Sequence, residues 1–199
     1  MLAEQVRQDQ LAADLANSTT PGYKSERVAR RSFGDVLLEN RSNGGQVGSL
    51  SLGTGIATVR TDTTQGALRE TDEPLDLALE GEGFVAVQGP NGTAYTRNGQ
   101  LSRDASGRLV TSTGLPVLGE DGRPITLAAG KPVIAADGTV SVAGKTAGRI
   151  RVVSLTDPVR QGDNLFTGTA GARPAATKVR QGSLEGLRRR RDADDRIAR

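Results

Sequence analysis

The chain has 199 residues, 35% of them hydrophobic but only 3% aromatic, with 26 glycines and no tryptophan, so one core must be built from Val, Leu, Ile and Ala around many turns, which favours short strands over thick helical bundles. It contains no Cys and no His, which excludes thiolate nucleophiles, Ser-His-Asp triads, Cys/His zinc sites and imidazole acid–base catalysis. The formal charge of +3 is local: residues 187–199 hold six of the 26 basic groups and three of the 23 acidic ones, so the remaining body is neutral.

Residues 1–17 are mostly strong helix formers without Gly or Pro, and the run ends in "NSTTPGYK", where Pro21 and Gly22 break it. At about 100° per residue, Leu2, Val6 and Ala13 share one face while Leu11 and Leu15 lie nearly opposite. Two readings fit this pattern: a poorly patterned surface helix, or a helix packed on more than one side by other helices, as in a multi-chain assembly. The same terminus lacks a basic leader followed by a continuous apolar region, and nowhere does it reach the roughly 18 apolar residues of a membrane helix, so neither a secretory signal nor direct membrane insertion is expected. The absence of Cys fits passage outside the reducing cytosol.

Residues 23–40 are charged, with Phe33, Val36 and Leu37 at helical spacing, and predict a second short helix or an irregular arm. "NRSNGGQVGS" reads as a flexible polar loop. Beyond Gly53 the character turns to β. The runs "FVAVQ", "TAYTR", "RLVTS", "PVIAA", "TVSVA" and "RIRVVSL" are separated by Asn91-Gly92, Asn98-Gly99, Ser106-Gly107, Asp121-Gly122 and Asp137-Gly138. Such pairs tolerate the positive φ of tight turns, so consecutive antiparallel hairpins are predicted. The turn pairs are unevenly spaced, which disfavours a propeller or solenoid. "TGTAGARPAA", residues 167–176, reads as a linker or an extended return strand. The fold class is therefore mainly β: an N-terminal α-helix followed by an antiparallel all-β domain built from short hairpins.

Candidate chemistry is sparse. Asp72, Glu73, Asp76, Glu80 and Glu82 form one dense carboxylate cluster, of a kind that serves glycoside hydrolysis or holds a hard cation. In "LDLALEG", however, Leu75, Leu77 and Leu79 alternate with Asp76, Ala78 and Glu80, the pattern of a half-buried strand with a solvated outer face. "GEGF" at residues 81–84 lacks the third glycine and the following helix of a phosphate loop, so Gly81 and Gly83 read as a sharp turn or bulge. Asp192, Asp194 and Asp195 lack the glycine and terminal glutamate of a calcium loop. Arg188 to Arg191 have no aromatic nearby to stack a base, so a solvated, disordered tail is favoured over nucleic-acid binding. No catalytic, cofactor-binding or metal-binding residue is assigned, and no cofactor is expected.

Five stretches in order resemble the bacterial flagellar basal-body rod and hook proteins, most closely the proximal-rod and distal-rod proteins: "LAADLANSTTPGYKS", "TQGALRETDEPLDLALEGEGFVAV", "YTRNGQLSRDASGRLVTSTGLPVLGEDGRPI", "VIAADGTVS", and "GDNLF" followed by "QGSLEG". They span residues 11–186, and the second and third are highly specific. The resemblance implies a structural protein and not an enzyme, exported by the flagellar type III apparatus without a cleaved signal. It also implies helical polymerisation, with copies of itself and other rod or hook proteins, into a tube crossing the periplasm. Paired terminal helices would form its inner layer, with the β domain outside. On that reading Leu2, Val6, Leu11 and Leu15 pack the inner layer, and Asn17 and Gly22 set how the helix enters the next segment. Gly66, Pro74, Leu75, Asp76, Gly81, Gly83, Phe84, Tyr95, Arg97 and Gly99 carry the outer-domain motif.

The implied organisation is a rod-core segment (1–40), a loop and entry strand (41–65), an all-β outer domain (66–166), a return segment (167–186) and a basic tail (187–199). Two departures accompany it. Relatives begin earlier with an apolar helical stretch, and they continue after "QGSLEG" into a long apolar helix where this chain reads "LRRRRDADDRIAR". The expectation from these is that the β domain folds while the inner helical layer is shortened, through an internal start and a frameshifted end or through genuine divergence. The competing readings are a secreted, non-polymerising β-domain binding module or inactive truncated paralogue, and, remotely, a carboxylate-dependent glycan hydrolase.

Overall fold

A computed structural model describes residues 2–32, 36–39, 46–50 and 54–187. The uninterrupted run of helix formers gives α1 (Leu2–Ala16), as the sequence predicts. Its last turn is closed by Asn17, whose backbone N–H and side-chain amide both donate to the Ala13 carbonyl at 3.0 and 2.9 Å.

The next segment departs from expectation. β1 (Glu26–Ser32), β2 (Val36–Glu39) and β3 (Gln46–Leu50) stand where a second short helix or irregular arm and part of the polar loop were expected, and β4 (Thr54–Thr61) follows where the sequence turns to β. β1 pairs antiparallel with β4 from Glu26↔Thr61 to Ser32↔Thr54, and β2 with β3 from Val36↔Leu50. The helical spacing misleads because Val36 and Leu37 take cross-strand partners, Leu50 and Ser49, which a local period does not report. Phe33 and residues 40–45 lie outside the described residues.

The all-β domain follows as β5 (Leu68–Glu70), β6 (Leu77–Glu80), β7 (Phe84–Gly89), β8 (Gly92–Thr96), β9 (Leu101–Arg103) and β10 (Leu109–Thr111). It continues with β11 (Pro132–Ile134), β12 (Thr139–Val142), β13 (Lys145–Arg149), β14 (Val152–Val153), β15 (Leu155–Gly162) and β16 (Leu165–Ala170). Two return strands complete it, β17 (Lys178–Gln181) and β18 (Ser183–Glu185). A five-stranded sheet in the order β14-β7-β8-β16-β15 is the centre, flanked by the three-stranded β11-β12-β13. β17 pairs with β6 and β18 with β5, so the end of the described chain returns to the start of the domain.

Strand β7 shows why "FVAVQ" is a central strand. Val85 and Val87 enter one apolar cluster with Leu77, Leu109, Val117 and Ile150, while Phe84 and Ala86 enter a second with Tyr95, Leu118 and Phe166. Both faces are buried, and the Phe84 and Phe166 rings meet at 5.3 Å between centroids; burying each ring contributes about 2–3 kcal/mol.

Four of the five turn pairs close hairpins or tight turns, at Asn91-Gly92, Ser106-Gly107, Asp121-Gly122 and Asp137-Gly138, each with a positive φ at glycine. Asn98-Gly99 does not close a hairpin. It leads from β8 to β9 in different sheets, and the Gly99 carbonyl accepts from the Leu77 N–H at 2.9 Å. A hairpin that the glycine pairs do not mark joins β15 to β16 through Asp163 and Asn164, left-handed at φ 45 and 57, as a two-residue turn requires. The alternation in "LDLALEG" also needs correction: on the face read as solvated, Asp76 and Ala78 are buried at 6% and 2% exposure, and only Glu80 reaches solvent. The Asp76 carbonyl accepts from the Gly182 N–H at 2.7 Å and the residue bridges Gln100, so its strand is enclosed from both edges.

At the Asp137 turn, the Thr139 N–H and hydroxyl donate to the carboxylate at 2.9 and 2.8 Å. These bonds outweigh the opposing desolvation and, helped by nearby Arg149, hold its pKa below the ordinary value of 3.8. A depressed folded pKa contributes stability that is present above the unfolded value and lost as pH falls through the folded one. Asp137→Asn is therefore expected to lower the urea midpoint at pH 7, and the gap from the parent should close as pH falls below about 3.8; a gap independent of pH would contradict this.

Candidate functional site

Where the helix exit, the entry loop, the β domain and the return strand meet, the structure buries one carboxylate between two cations. Glu185 lies on β18, which pairs with the three-residue β5, and its side chain is turned inward to 1% exposure. One carboxylate oxygen accepts from Lys24 Nζ at 2.7 Å and from the Gly66 N–H at 2.6 Å; the other accepts from Arg97 Nη1 at 3.0 Å. The Lys24 and Arg97 side chains are 3% and 1% exposed.

Backbone carbonyls take two further donors, while Arg97 Nε is buried without a hydrogen-bond partner. Lys24 Nζ reaches the Thr64 carbonyl and Arg97 Nη2 the Gly81 carbonyl, each at 2.7 Å. The Arg97 guanidinium also lies 5.6 Å from the Phe84 ring centroid. Gly22 donates its N–H to the Glu185 carbonyl at 2.7 Å. Burial pushes the Lys24 pKa down, and the neighbouring Glu185 carboxylate opposes that shift. Asp62 fixes the Thr64 loop by accepting from its N–H and hydroxyl at 3.1 and 2.5 Å, and from Arg27 at 2.8 Å. Desolvation would raise the Asp62 pKa, but these bonds outweigh it and hold the carboxyl low.

A second grip lies beside the first. Arg160 of β15 donates to the Lys24 carbonyl at 2.9 Å and stacks 4.3 Å from the centroid of the Tyr23 ring. The Tyr23 hydroxyl donates to Asp14 of α1 at 3.0 Å. Burial, reinforced by Asp14 and opposed by Arg160, pushes the Tyr23 phenol up. A third tie is Gln181, whose amide donates to the Pro74 and Pro132 carbonyls at 2.6 and 3.0 Å.

The motif residues thus fall into two groups. Gly22, Gly66, Gly81, Phe84 and Arg97 converge around Glu185, and Pro74, Leu75, Asp76 and Gly99 form the neighbouring wall with Leu77. Gly83 has a left-handed φ of 121 and Tyr95 is buried in the Phe84 cluster. The helix residues stand apart: Val6 is half-buried, whereas Leu11 and Leu15 are 51% and 76% exposed. Leu2 lies in α1 with its side chain outside the described residues. Lys24, Tyr23, Arg160 and Glu185 were not singled out from the sequence. Lys24 and Glu185 nonetheless sit inside "PGYKS" and "QGSLEG", and Glu185 is the one acid in the latter.

The carboxylates at 72–82 do not gather. Only Asp76 is buried, and among the described residues no group of three His, Cys, Asp or Glu could hold a metal ion.

A β domain with its N-terminal arm and its return strand locked to one buried ion cluster defines the class, and comparison with known proteins gives the family. Residues 78–142, from β6 to the end of β12, match the family model of the flagellar hook protein FlgE/F/G D1 domain. The chain is 33% identical over 185 residues to the flagellar basal-body rod protein FlgF of Caulobacter vibrioides, covering 89% of this chain and 74% of that protein. It is 36% identical over 151 residues to the rod protein FlgG of Buchnera aphidicola, covering 70% of this chain and 56% of that protein. To FlgG of Bacillus subtilis it is 32% identical over 192 residues, covering 84% and 72%. The chain belongs to the flagellar basal-body rod protein family, whose members are structural proteins.

Proposed function

We propose that this chain is a structural, non-enzymatic subunit of the bacterial flagellar basal-body rod. It polymerises helically with copies of itself and other rod or hook proteins in the periplasm-spanning drive shaft, and reaches it through the flagellar export apparatus without a cleaved signal. The observation that carries this reading is the contrast within α1: its Asp14 side is tied to Tyr23, while Leu11 and Leu15 stand in solvent beside a domain whose own core is closed. An apolar pair one turn apart on the outward side suits a heterologous contact repeated along a helical array, which a two-fold interface could not build. The buried junction suits a subunit that transmits torque, because it stops the β domain from swinging about its arm.

The test is Leu11→Asp with Leu15→Asp. Because both positions are exposed, the stability of the β domain is expected to change by no more than about 0.5 kcal/mol. Incorporation into purified hook-basal bodies, read by mass spectrometry, should be lost, and motility with it. Normal incorporation of the doubly substituted chain would sink the polymer reading.

A further inference from the structure

The junction holds two cations against one carboxylate, and the three come from widely separated parts of the chain. Glu185 follows Lys24 by 161 positions and Arg97 by 88. Without Glu185, Lys24 would enter a nearly dry site beside Arg97 with only the Thr64 carbonyl as partner. Two like charges in a low-dielectric site repel, and desolvation adds to the cost of each. Arg97 belongs to the β domain, where the Gly81 carbonyl and the Phe84 ring hold it. Lys24 belongs to a short arm, residues 22–25, in the connection between α1 and β1.

We propose that Glu185 gates the docking of the N-terminal arm: residues 22–25 close onto the β domain only once strand β18 has placed its carboxylate between Lys24 and Arg97. The inference rests on the junction alone and stands whether or not the chain polymerises. Its consequence is an order of events. In a chain that appears N-terminus first, as in synthesis, the arm and the helix before it stay free until nearly all of the described fold is present. The grip of Arg160 on the Lys24 carbonyl and the Tyr23 ring follows that closure, because both acceptors ride on the arm.

The test uses amide hydrogen exchange on the full chain. Two amides report the arm: Gly22, bonded to the Glu185 carbonyl, and Asp62, bonded to the Ser25 carbonyl at 2.8 Å. Two report the domain: Ala86, bonded to Arg151, and Leu118, bonded to Ala86. In Glu185→Gln, which keeps the shape and removes the charge, exchange at Gly22 and Asp62 should rise by about 100-fold or more. Ala86 and Leu118 should keep their protection. Lys24→Met added to Glu185→Gln should restore the arm's protection, because the arm then carries no charge into the site. Unchanged arm exchange in Glu185→Gln would overturn the proposal. So would loss of protection across Ala86 and Leu118 as well, which would make Glu185 a general stability element. Failure of Lys24→Met to restore the arm would also overturn it, because the release would then be lost packing and not unpaired charge.

Discussion

Gly99→Ala is expected to destabilise the protein by about 4 kcal/mol or more, although no unusual backbone angle requires glycine there. A Cβ at that position would lie 1.6 Å from the Leu77 carbonyl oxygen and 2.7 Å from its carbon. Those are backbone atoms of a strand already held by β17, and the Gly99 carbonyl itself accepts from the Leu77 N–H. Moving apart would break that bond and the Asp76↔Gln100 bridge together. Gly22→Ala should be comparably severe, because it adds a left-handed φ of 67 to a Cβ 2.2 Å from the Arg97 carbonyl carbon, at the point where the arm meets the ion cluster. Gly122→Ala supplies the contrast. Its φ is 76, but nothing lies within 4 Å of the added carbon, so only the backbone term of about 1 kcal/mol remains. Urea denaturation followed by far-ultraviolet circular dichroism should rank Gly99 and Gly22 well above Gly122. Equal losses at all three would mean that the close approach of the two backbones contributes nothing.

The contrast between these glycines also explains what the sequence made legible. Gly122 belongs to a local turn, and an Asp-Gly pair between apolar runs is enough to find it. The same logic placed β7, β8 and the hairpins at Ser106-Gly107 and Asp137-Gly138. Gly99 belongs to a contact with Leu77, twenty-two positions away. Nothing in "RNGQ" separates that role from a hairpin turn, so the pair was read as one. The Asp163-Asn164 turn was legible in principle, since both residues tolerate the left-handed region without glycine.

The errors at 23–50 and at "LDLALEG" share a cause. A spacing of three and four, or an alternation of two, describes one face of an element, whereas β1 to β4 are set by cross-strand partners. Asp76 is enclosed by Gly182 and Gln100, which arrive from elsewhere in the chain. The junction was the least legible part. Lys24 and Glu185 are single members of the 20 basic and 20 acidic residues of the neutral body, 26 and 23 less the six and three of residues 187–199, and no local pattern distinguishes a buried ion pair from a solvated one. The motif resemblance did select Gly22, Gly66, Gly81 and Arg97, which surround Glu185. The carboxylate that unites them, Glu185, carries no local signal of that position.

Arg97→Ala is expected to cost about 3 kcal/mol, lowering Tm by about 6–12 °C for a chain of this size. The guanidinium spans two acceptors, the Glu185 Oε2 oxygen at 3.0 Å and the Gly81 carbonyl at 2.7 Å, while its plane rests near Phe84. Truncation leaves a buried carbonyl and one carboxylate oxygen without these donors, and adds a void against an aromatic ring. The loss stays below that of an isolated buried charge because Lys24 still neutralises Glu185. Arg97→Lys keeps the charge but has one donor head where the fork has two, so it should recover only part of the loss and remain about 1–2 kcal/mol below the parent. Arg180 provides the scale for a surface pair. It meets Glu70 at 2.5 Å and Glu80 at 3.4 Å, yet Glu70 is 72% exposed, and Arg180→Ala should change stability by no more than about 0.5 kcal/mol. The comparison decides between burial and distance as the source of the effect, since the exposed pair has the shorter contact. If Arg180→Ala proved as damaging as Arg97→Ala, the ion cluster would not be what fastens the arm and return strand to the β domain.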